Sequence, residues 1–99
     1  MMKNKKVYEF VGKVSNKFQS KVYNKKSLWY GNIYYRLWLE LEKNEFKEIL
    51  AFKESLKKEI WIDIQKSYYS DKKYIFYAEP KISNYQVISY KLIDWKEIM

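Results

Sequence analysis

The sequence predicts an α+β domain in which several strands form one sheet and a single helix covers one face of that sheet. Two neighbouring segments carry this prediction. Ile33–Glu42 alternates strictly between apolar and polar side chains, which is typical of a half-buried strand, and Asn44–Lys58 carries the apolar stripe of an amphipathic helix. A chain of 99 residues has room for one hydrophobic core, and this one contains no repeat and no Pro/Gly/Ser-rich linker.

The first third of the chain contains one further predicted strand. Val7–Val14 is the first apolar run, and we expect it to be extended. The polar and basic segment Ser15–Ser27 then predicts a loop or an irregular arm. Gly31 and Asn32 indicate a turn immediately before the alternating strand.

After that strand, Asn44 is a candidate N-cap for the helix, which is acidic at its start and basic at its end. Three alternating runs follow and predict three more strands, Ile60–Gln65, Tyr74–Glu79 and Tyr85–Leu92. We expect Tyr74–Glu79 to stop at the proline that follows it, because proline cannot donate a hydrogen bond to a sheet.

The composition argues against an enzyme. The chain has no Cys and no His, which excludes thiol nucleophiles, zinc fingers and imidazole acid–base catalysis. Its two glycines do not form a phosphate-binding loop, and the carboxylates Glu40 and Glu42 are typical of a solvated strand face. We therefore expect no catalytic residue, no metal, no cofactor and no small-molecule substrate. We also expect no secretory signal and no membrane association, since no apolar run is long enough to span a bilayer.

The charge of the chain favours an anionic partner. The formal net charge is +8, and all but one of the 20 cations are lysines. Several of these lysines lie close to aromatic residues, among them Tyr68 and Tyr69 in the polar stretch Lys66–Lys73. Lysines neutralise phosphates and exposed rings stack on bases, so this pattern favours nucleic-acid binding. Trp38 lies on the strand face opposite the leucines and would suit RNA or a partner protein there.

Residue usage predicts where the gene lies. The sequence is rich in Lys, Asn, Ile, Tyr and Phe and poor in Gly, Ala, Arg and Pro, which is typical of A+T-rich coding DNA. Four Trp are unexpected in such DNA, since the standard Trp codon contains two guanines. Our hypothesis is a genome that reads UGA as Trp, and hence a mitochondrially encoded protein of the matrix. Four UGG codons at these positions would refute it.

Two segments near the C-terminus resemble the small-subunit ribosomal protein ten family, which belongs to the head of the ribosome. Lys73–Ile82 aligns without a gap with that family's run of a basic residue, an aromatic, an extended segment and Ser-Pro-His-Val. Tyr85–Asp94 aligns, after one deletion, with its later strand ending in Leu-Ile-Asp. Lys81 and Tyr90 stand where the family has histidines.

The resemblance covers about Ile33 to Asp94 and implies a ferredoxin-like domain, a mixed sheet with a helix on one face. The chain stops at Met99, so the family's last helix and strand are lacking. The implied division is a basic N-terminal extension with one strand, residues 1–32, followed by a ferredoxin-like domain, residues 33–99.

The resemblance also implies a structural role in mitochondrial translation, in which the protein binds ribosomal RNA and other small-subunit ribosomal proteins. It gives the lysines around the last two strands an RNA-facing position. The basic pair before the predicted strand Ile60–Gln65 and the single arginine complete the set. The predicted RNA-binding residues are Lys57, Lys58, Lys66, Lys72, Lys73, Lys81, Lys91 and Arg36.

Two other functions stay open. An OB-fold module that binds single-stranded nucleic acid would explain the interleaved basic and aromatic residues, and Phe10–Val14 is similar to the first strand of such a barrel. It requires three strands before the helix, whereas the alternation predicts only two before Asn44. The other possibility is an accessory subunit of another organellar complex.

Overall fold

Five strands and one α-helix account for most of residues 6–66 and 71–98, the part of the chain that the computed structural model describes. The aromatic pair Tyr68 and Tyr69 lies outside these residues. Two short 3₁₀ turns, Glu42–Asn44 and Lys53–Ser55, flank the third strand. The elements in chain order are β1 Tyr8–Lys21, β2 Ile33–Leu41, β3 Phe46–Phe52, α1 Lys58–Lys66, β4 Lys73–Ser83 and β5 Gln86–Ile98.

The strands close into a barrel in the order β1-β2-β3-β5-β4, with β4 returning to pair with β1. Neighbouring strands are antiparallel except β3 and β5, which are parallel and meet at the pair Leu50–Lys91. The α+β class is therefore confirmed, because strands and one helix share a single core. The ferredoxin-like arrangement is not confirmed, since the sheet closes on itself and its helix lies between β3 and β4.

Strand β1 has two partners. Its first part, Tyr8–Gly12, pairs with β4, and its longer second part, Gly12–Lys21, pairs with β2. Gly12 belongs to both ladders, and a Cβ atom placed on it would lie 2.2 Å from the carbonyl oxygen of Glu40. Strands β1 and β2 can approach this closely only because residue 12 has no side chain.

The barrel interior is filled by alternate side chains of its strands, as the pleat of a strand requires. Helix α1 packs against the barrel and adds Ile60 and Ile64 to the same core. The buried core residues are Val14, Leu37, Leu39, Ile49, Ala51, Ile60, Ile64, Tyr74, Phe76, Ala78 and Leu92.

Lys17 of β1 connects the C-terminal part of α1 to the barrel through hydrogen bonds. Its Nζ donates hydrogen bonds to the carbonyl oxygens of Ile64 at 2.7 Å and Gln65 at 3.2 Å, and it lies 5.0 Å from the ring centroid of Tyr35. A cation at this position opposes the negative end of the helix dipole. Burial lowers the pKa of Lys17 from the usual lysine value.

The predicted helix Asn44–Lys58 is wrong, because the structure has strand β3 there. Ile49 and Ala51 point into the barrel, while Phe46 and Phe52 lie on its outer face. Apolar side chains on both faces of one strand give a spacing that imitates the stripe of a helix. Asn44, the expected helix cap, instead has a φ of 61° in the turn before β3, a conformation that Asn also tolerates.

The predicted strand Ile60–Gln65 is also wrong, because this segment belongs to α1. The helix buries Ile60, Trp61 and Ile64, which share a helical face at spacings of one and four. The alternating isoleucines also fit a strand, and a segment of nine residues is too short for periodicity to separate the two states.

Other sequence boundaries shift for physical reasons. The expected loop Ser15–Ser27 begins inside β1, which continues to Lys21. Strand β4 passes through Pro80 because the β1–β4 ladder has already ended at Ala78, leaving β4 paired only with β5. Among the described residues, no helix is long and apolar enough to cross a membrane.

Gly12→Ala tests the crossing of β1 over β2. We expect the free energy of unfolding to fall by about 1–3 kcal/mol, because the added methyl group forces the two backbones apart. Urea denaturation followed by circular dichroism measures the change. Gly31→Asn is the matched control, since Gly31 has a φ of 84° and open space around it, and Asn tolerates that region. A Gly12→Ala protein as stable as this control would contradict the account.

Candidate nucleic-acid interface

The outer face of β2 and β3 carries aromatic side chains where a half-exposed sheet usually carries polar ones. Along β2 the inward residues Leu37 and Leu39 are fully buried, while Trp38 between them is 39% exposed. On β3, Phe46 is 48% exposed. Together with neighbours from β1 and the β1–β2 loop they form the aromatic stripe, defined as Phe18, Trp29, Tyr34, Trp38, Phe46 and Phe52.

One end of the aromatic stripe is a cluster of three rings. Tyr34 and Phe52 are cross-strand partners whose rings stack with centroids 4.8 Å apart. Trp29, from the β1–β2 loop, adds its ring at 5.4 Å from that of Phe52. The rings cover each other only in part, so the cluster is an apolar platform at the edge of the barrel.

The other end is a pair of rings, Trp38 on β2 and Phe46 on β3. Their planes are within 14° of parallel and their centroids are 6.1 Å apart. Trp38 lies four residues beyond Tyr34 on the same strand, which at about 3.4 Å per residue places the two platforms about 14 Å apart. The stripe therefore offers two separate stacking surfaces on one face.

An ion pair lies between the two platforms. Arg36 donates from Nε at 3.0 Å and from Nη2 at 2.7 Å to Oε2 of Glu48. The guanidinium also lies 5.9 Å from the ring centroid of Phe18. Both partners are substantially exposed, so the pair adds little to stability and can be broken at small cost.

The loop between β1 and β2 stands beside the three-ring platform. Its base is closed by the Val22 amide donating to the Asn32 carbonyl at 3.0 Å and the Gly31 amide donating to the Val22 carbonyl at 2.9 Å. Its outer part exposes Lys25, Lys26 and Leu28, the last 99% exposed. The tip of the loop is exposed to solvent, while its base is closed by hydrogen bonds.

A groove of about 440 Å³ separates this loop from the β4–β5 hairpin. Trp29, Leu50 and Phe52 give it an apolar floor, and Lys81 and Lys91 lie on the hairpin side. The groove is therefore continuous with the aromatic stripe, since Trp29 and Phe52 belong to both.

The structure brings three of the eight predicted RNA-binding residues to this face. Arg36 lies within the aromatic stripe, and Lys81 and Lys91 line the groove. These three cations come from β2, β4 and β5, which are far apart in sequence.

The other five predicted residues lie elsewhere. Lys58 and Lys66 are the ends of α1, and Lys57 precedes it with its Nζ 3.5 Å from Asp94. Lys72 has its Nζ 3.7 Å from Glu97. Lys73 opens β4 and lines a separate depression beside Gly12 and Asp71.

Sequence reasoning missed most of the aromatic stripe. The predicted helix Asn44–Lys58 includes Phe46 and Phe52, so the sequence places only Trp38 as a ring on the outer face of a strand. The alternation of Phe46, Glu48, Leu50 and Phe52 around inward residues was the signal that could have found them.

Residues 6–66 and 71–98 contain no group of three or more potential metal ligands, so the carboxylates of this part of the chain do not form a metal site.

Comparisons with known protein families, with curated proteins and with solved structures gave no match.

Trp38→Ala and Trp61→Ala test whether the aromatic stripe serves stability. Trp61 is only 8% exposed and contacts Tyr35 at 5.3 Å between ring centroids, so we expect its truncation to cost about 3–5 kcal/mol of unfolding free energy. Trp38 contacts the barrel from outside, and its truncation is expected to cost much less. Thermal or urea unfolding of both variants measures the difference. Equal losses would mean that the stripe is a structural element.

Proposed function

We propose that this protein is an OB-fold module that binds single-stranded nucleic acid on the outer face of β2 and β3. The aromatic stripe carries the proposal. A five-strand barrel in the order 1-2-3-5-4 with its helix after the third strand is the arrangement of that fold. In OB folds, the face of strands 2 and 3 and the loops 1–2 and 4–5 bind oligonucleotides.

Stacking supplies the first half of the binding chemistry. Every base has a π face, so exposed rings bind single strands with little sequence preference, at about 1–3 kcal/mol per stacked base. Tyr34 with Phe52 and Trp38 with Phe46 offer two such surfaces on one side of the barrel. A duplex keeps its bases paired inside, so this interaction favours single strands.

Phosphate neutralisation supplies the second half. Lys81 and Lys91 border the groove on one side, and Lys25 and Lys26 stand on the loop at the other. These lysines flank the rings, which suits a strand whose bases rest on the barrel while most of its phosphates face the rims. Lysine contacts phosphate as a point charge, consistent with binding of many sequences.

The ribosomal interpretation stays a prediction, and the OB-fold proposal now has the better support. The opening strand–helix–strand of the resemblance requires a helix at Asn44–Lys58, where the structure has β3. An RNA-anchored role in a mitochondrial small subunit would still use a basic, aromatic surface. Salt-resistant co-sedimentation with ribosomal small subunits, together with no affinity for free oligo-dT, would favour it over the proposal.

Trp38→Ala and Phe52→Ala test the two stacking platforms. We expect each to weaken binding of a fluorescent oligo-dT by about 5- to 150-fold, because each removes about 1–3 kcal/mol of base stacking. Fluorescence anisotropy titration at fixed salt measures the dissociation constant. Tyr77→Ala is the matched control, since Tyr77 is a half-buried ring of β4 that lies apart from the stripe. Equal weakening by all three variants, or no weakening by any, would contradict the proposal.

Two lysine pairs test the position of the phosphates. Lys81→Gln with Lys91→Gln removes the groove cations, and Lys57→Gln with Lys58→Gln removes the same charge beside α1. We expect only the groove variant to flatten the dependence of log K on log salt, by about 0.7 for each lost contact. Titrations at several salt concentrations measure the slopes. Equal slopes for the two variants would show that binding follows net charge and not this surface.

A further inference from the structure

We propose that Glu48 competes with nucleic-acid phosphate for Arg36, so that the ion pair on the aromatic stripe restrains binding and exchanges partners when a strand arrives. The inference rests on the proposed function and deepens it. It assigns to a carboxylate on the binding face a role that opposes affinity.

The pair already engages donors of Arg36 that a phosphate would use. The guanidinium of Arg36 directs Nε and Nη2 to the single oxygen Oε2 of Glu48, at 3.0 and 2.7 Å. A guanidinium presents the same two donors to a phosphate oxygen. In the free protein, the carboxylate of Glu48 therefore occupies hydrogen-bond donors that a backbone phosphate would use.

The location of the pair makes the competition direct. Arg36 lies between Tyr34 and Trp38 on the outer face of β2, and Glu48 is the cross-strand partner of Trp38. A strand whose bases stack on both platforms must pass over this pair. Its backbone would meet the carboxylate of Glu48 as a like charge unless Arg36 turns towards the phosphate.

The exposure of the pair allows the exchange. The side chains of Arg36 and Glu48 are 46% and 36% exposed, so the attraction between them is screened by water and salt. Breaking the pair leaves both charges hydrated. Arg36 keeps its contact with the ring of Phe18 as a pivot on the same face.

Glu48→Gln is the test, with Glu59→Gln as the matched control that makes the same change in net charge at the first turn of α1. We expect Glu48→Gln to bind oligo-dT severalfold more tightly than either the wild type or the control. We also expect its log K to depend more steeply on log salt, by about 0.7, because one more phosphate contact releases counterions without uncovering a carboxylate.

A double-mutant cycle with Arg36→Gln separates exchange from simple repulsion. If Glu48 acts by occupying Arg36, the gain in affinity from Glu48→Gln is largest with Arg36 present and shrinks in the Arg36→Gln background. If Glu48 only repels phosphate, the gain is as large or larger without Arg36, because the carboxylate is then no longer neutralised. The second result overturns the inference.

The outcomes also separate this inference from the proposed function. A wild type that binds oligo-dT, with Glu48→Gln no tighter than Glu59→Gln, overturns the inference alone. A wild type and a Glu48→Gln variant that both fail to bind any single strand overturn the two together. The two exposed substitutions leave the barrel core intact, which unfolding midpoints equal to that of the wild type will verify.

Discussion

The close crossing of β1 and β2 at Gly12 is the constraint on which the rest of the barrel depends. At this residue β1 passes from the β4 ladder to the β2 ladder, so one strand joins both sides of the sheet. Closure then encloses the core, to which α1 adds Ile60 and Ile64. The inward side chains and α1 form the core, and the outer face of β2 and β3 carries rings that do not belong to that core.

The different roles of the inner and outer faces explain why the sequence was informative about some elements and misleading about others. The alternation of Ile33–Glu42 predicted β2 almost to the residue, since its two faces differ strongly in polarity. Strand β3 has apolar residues on both faces, buried ones for the core and exposed ones in the stripe, so its periodicity no longer identifies its conformation. The segment that was predicted wrongly is thus the one that carries part of the candidate site.

The basic residues show a different limit of prediction from the sequence: it indicates the kind of partner but not the binding surface. Their number predicted an anionic partner, but a surface lysine leaves no periodic signal of where its side chain lies. Lys81 and Lys91 reach the groove only because β4 and β5 form a hairpin opposite the β1–β2 loop, and Lys57 and Lys58 belong to the helix side of the barrel. Tertiary placement, which depends on the strand order, decides which of the predicted cations can contact one ligand together.

The distribution of charge on the candidate face then limits how a strand can lie there. The middle of the aromatic stripe is close to neutral, since Arg36 is paired with Glu48, while the lysines lie at the rims on the loop and the hairpin. Bases are uncharged and apolar on their faces, whereas each phosphate carries a full negative charge. A bound strand is therefore most stable with its bases on the central rings and most of its phosphates towards the rims, while the phosphate between the two ring platforms meets Arg36. In that arrangement stacking supplies most of the affinity and the lysines supply its salt dependence.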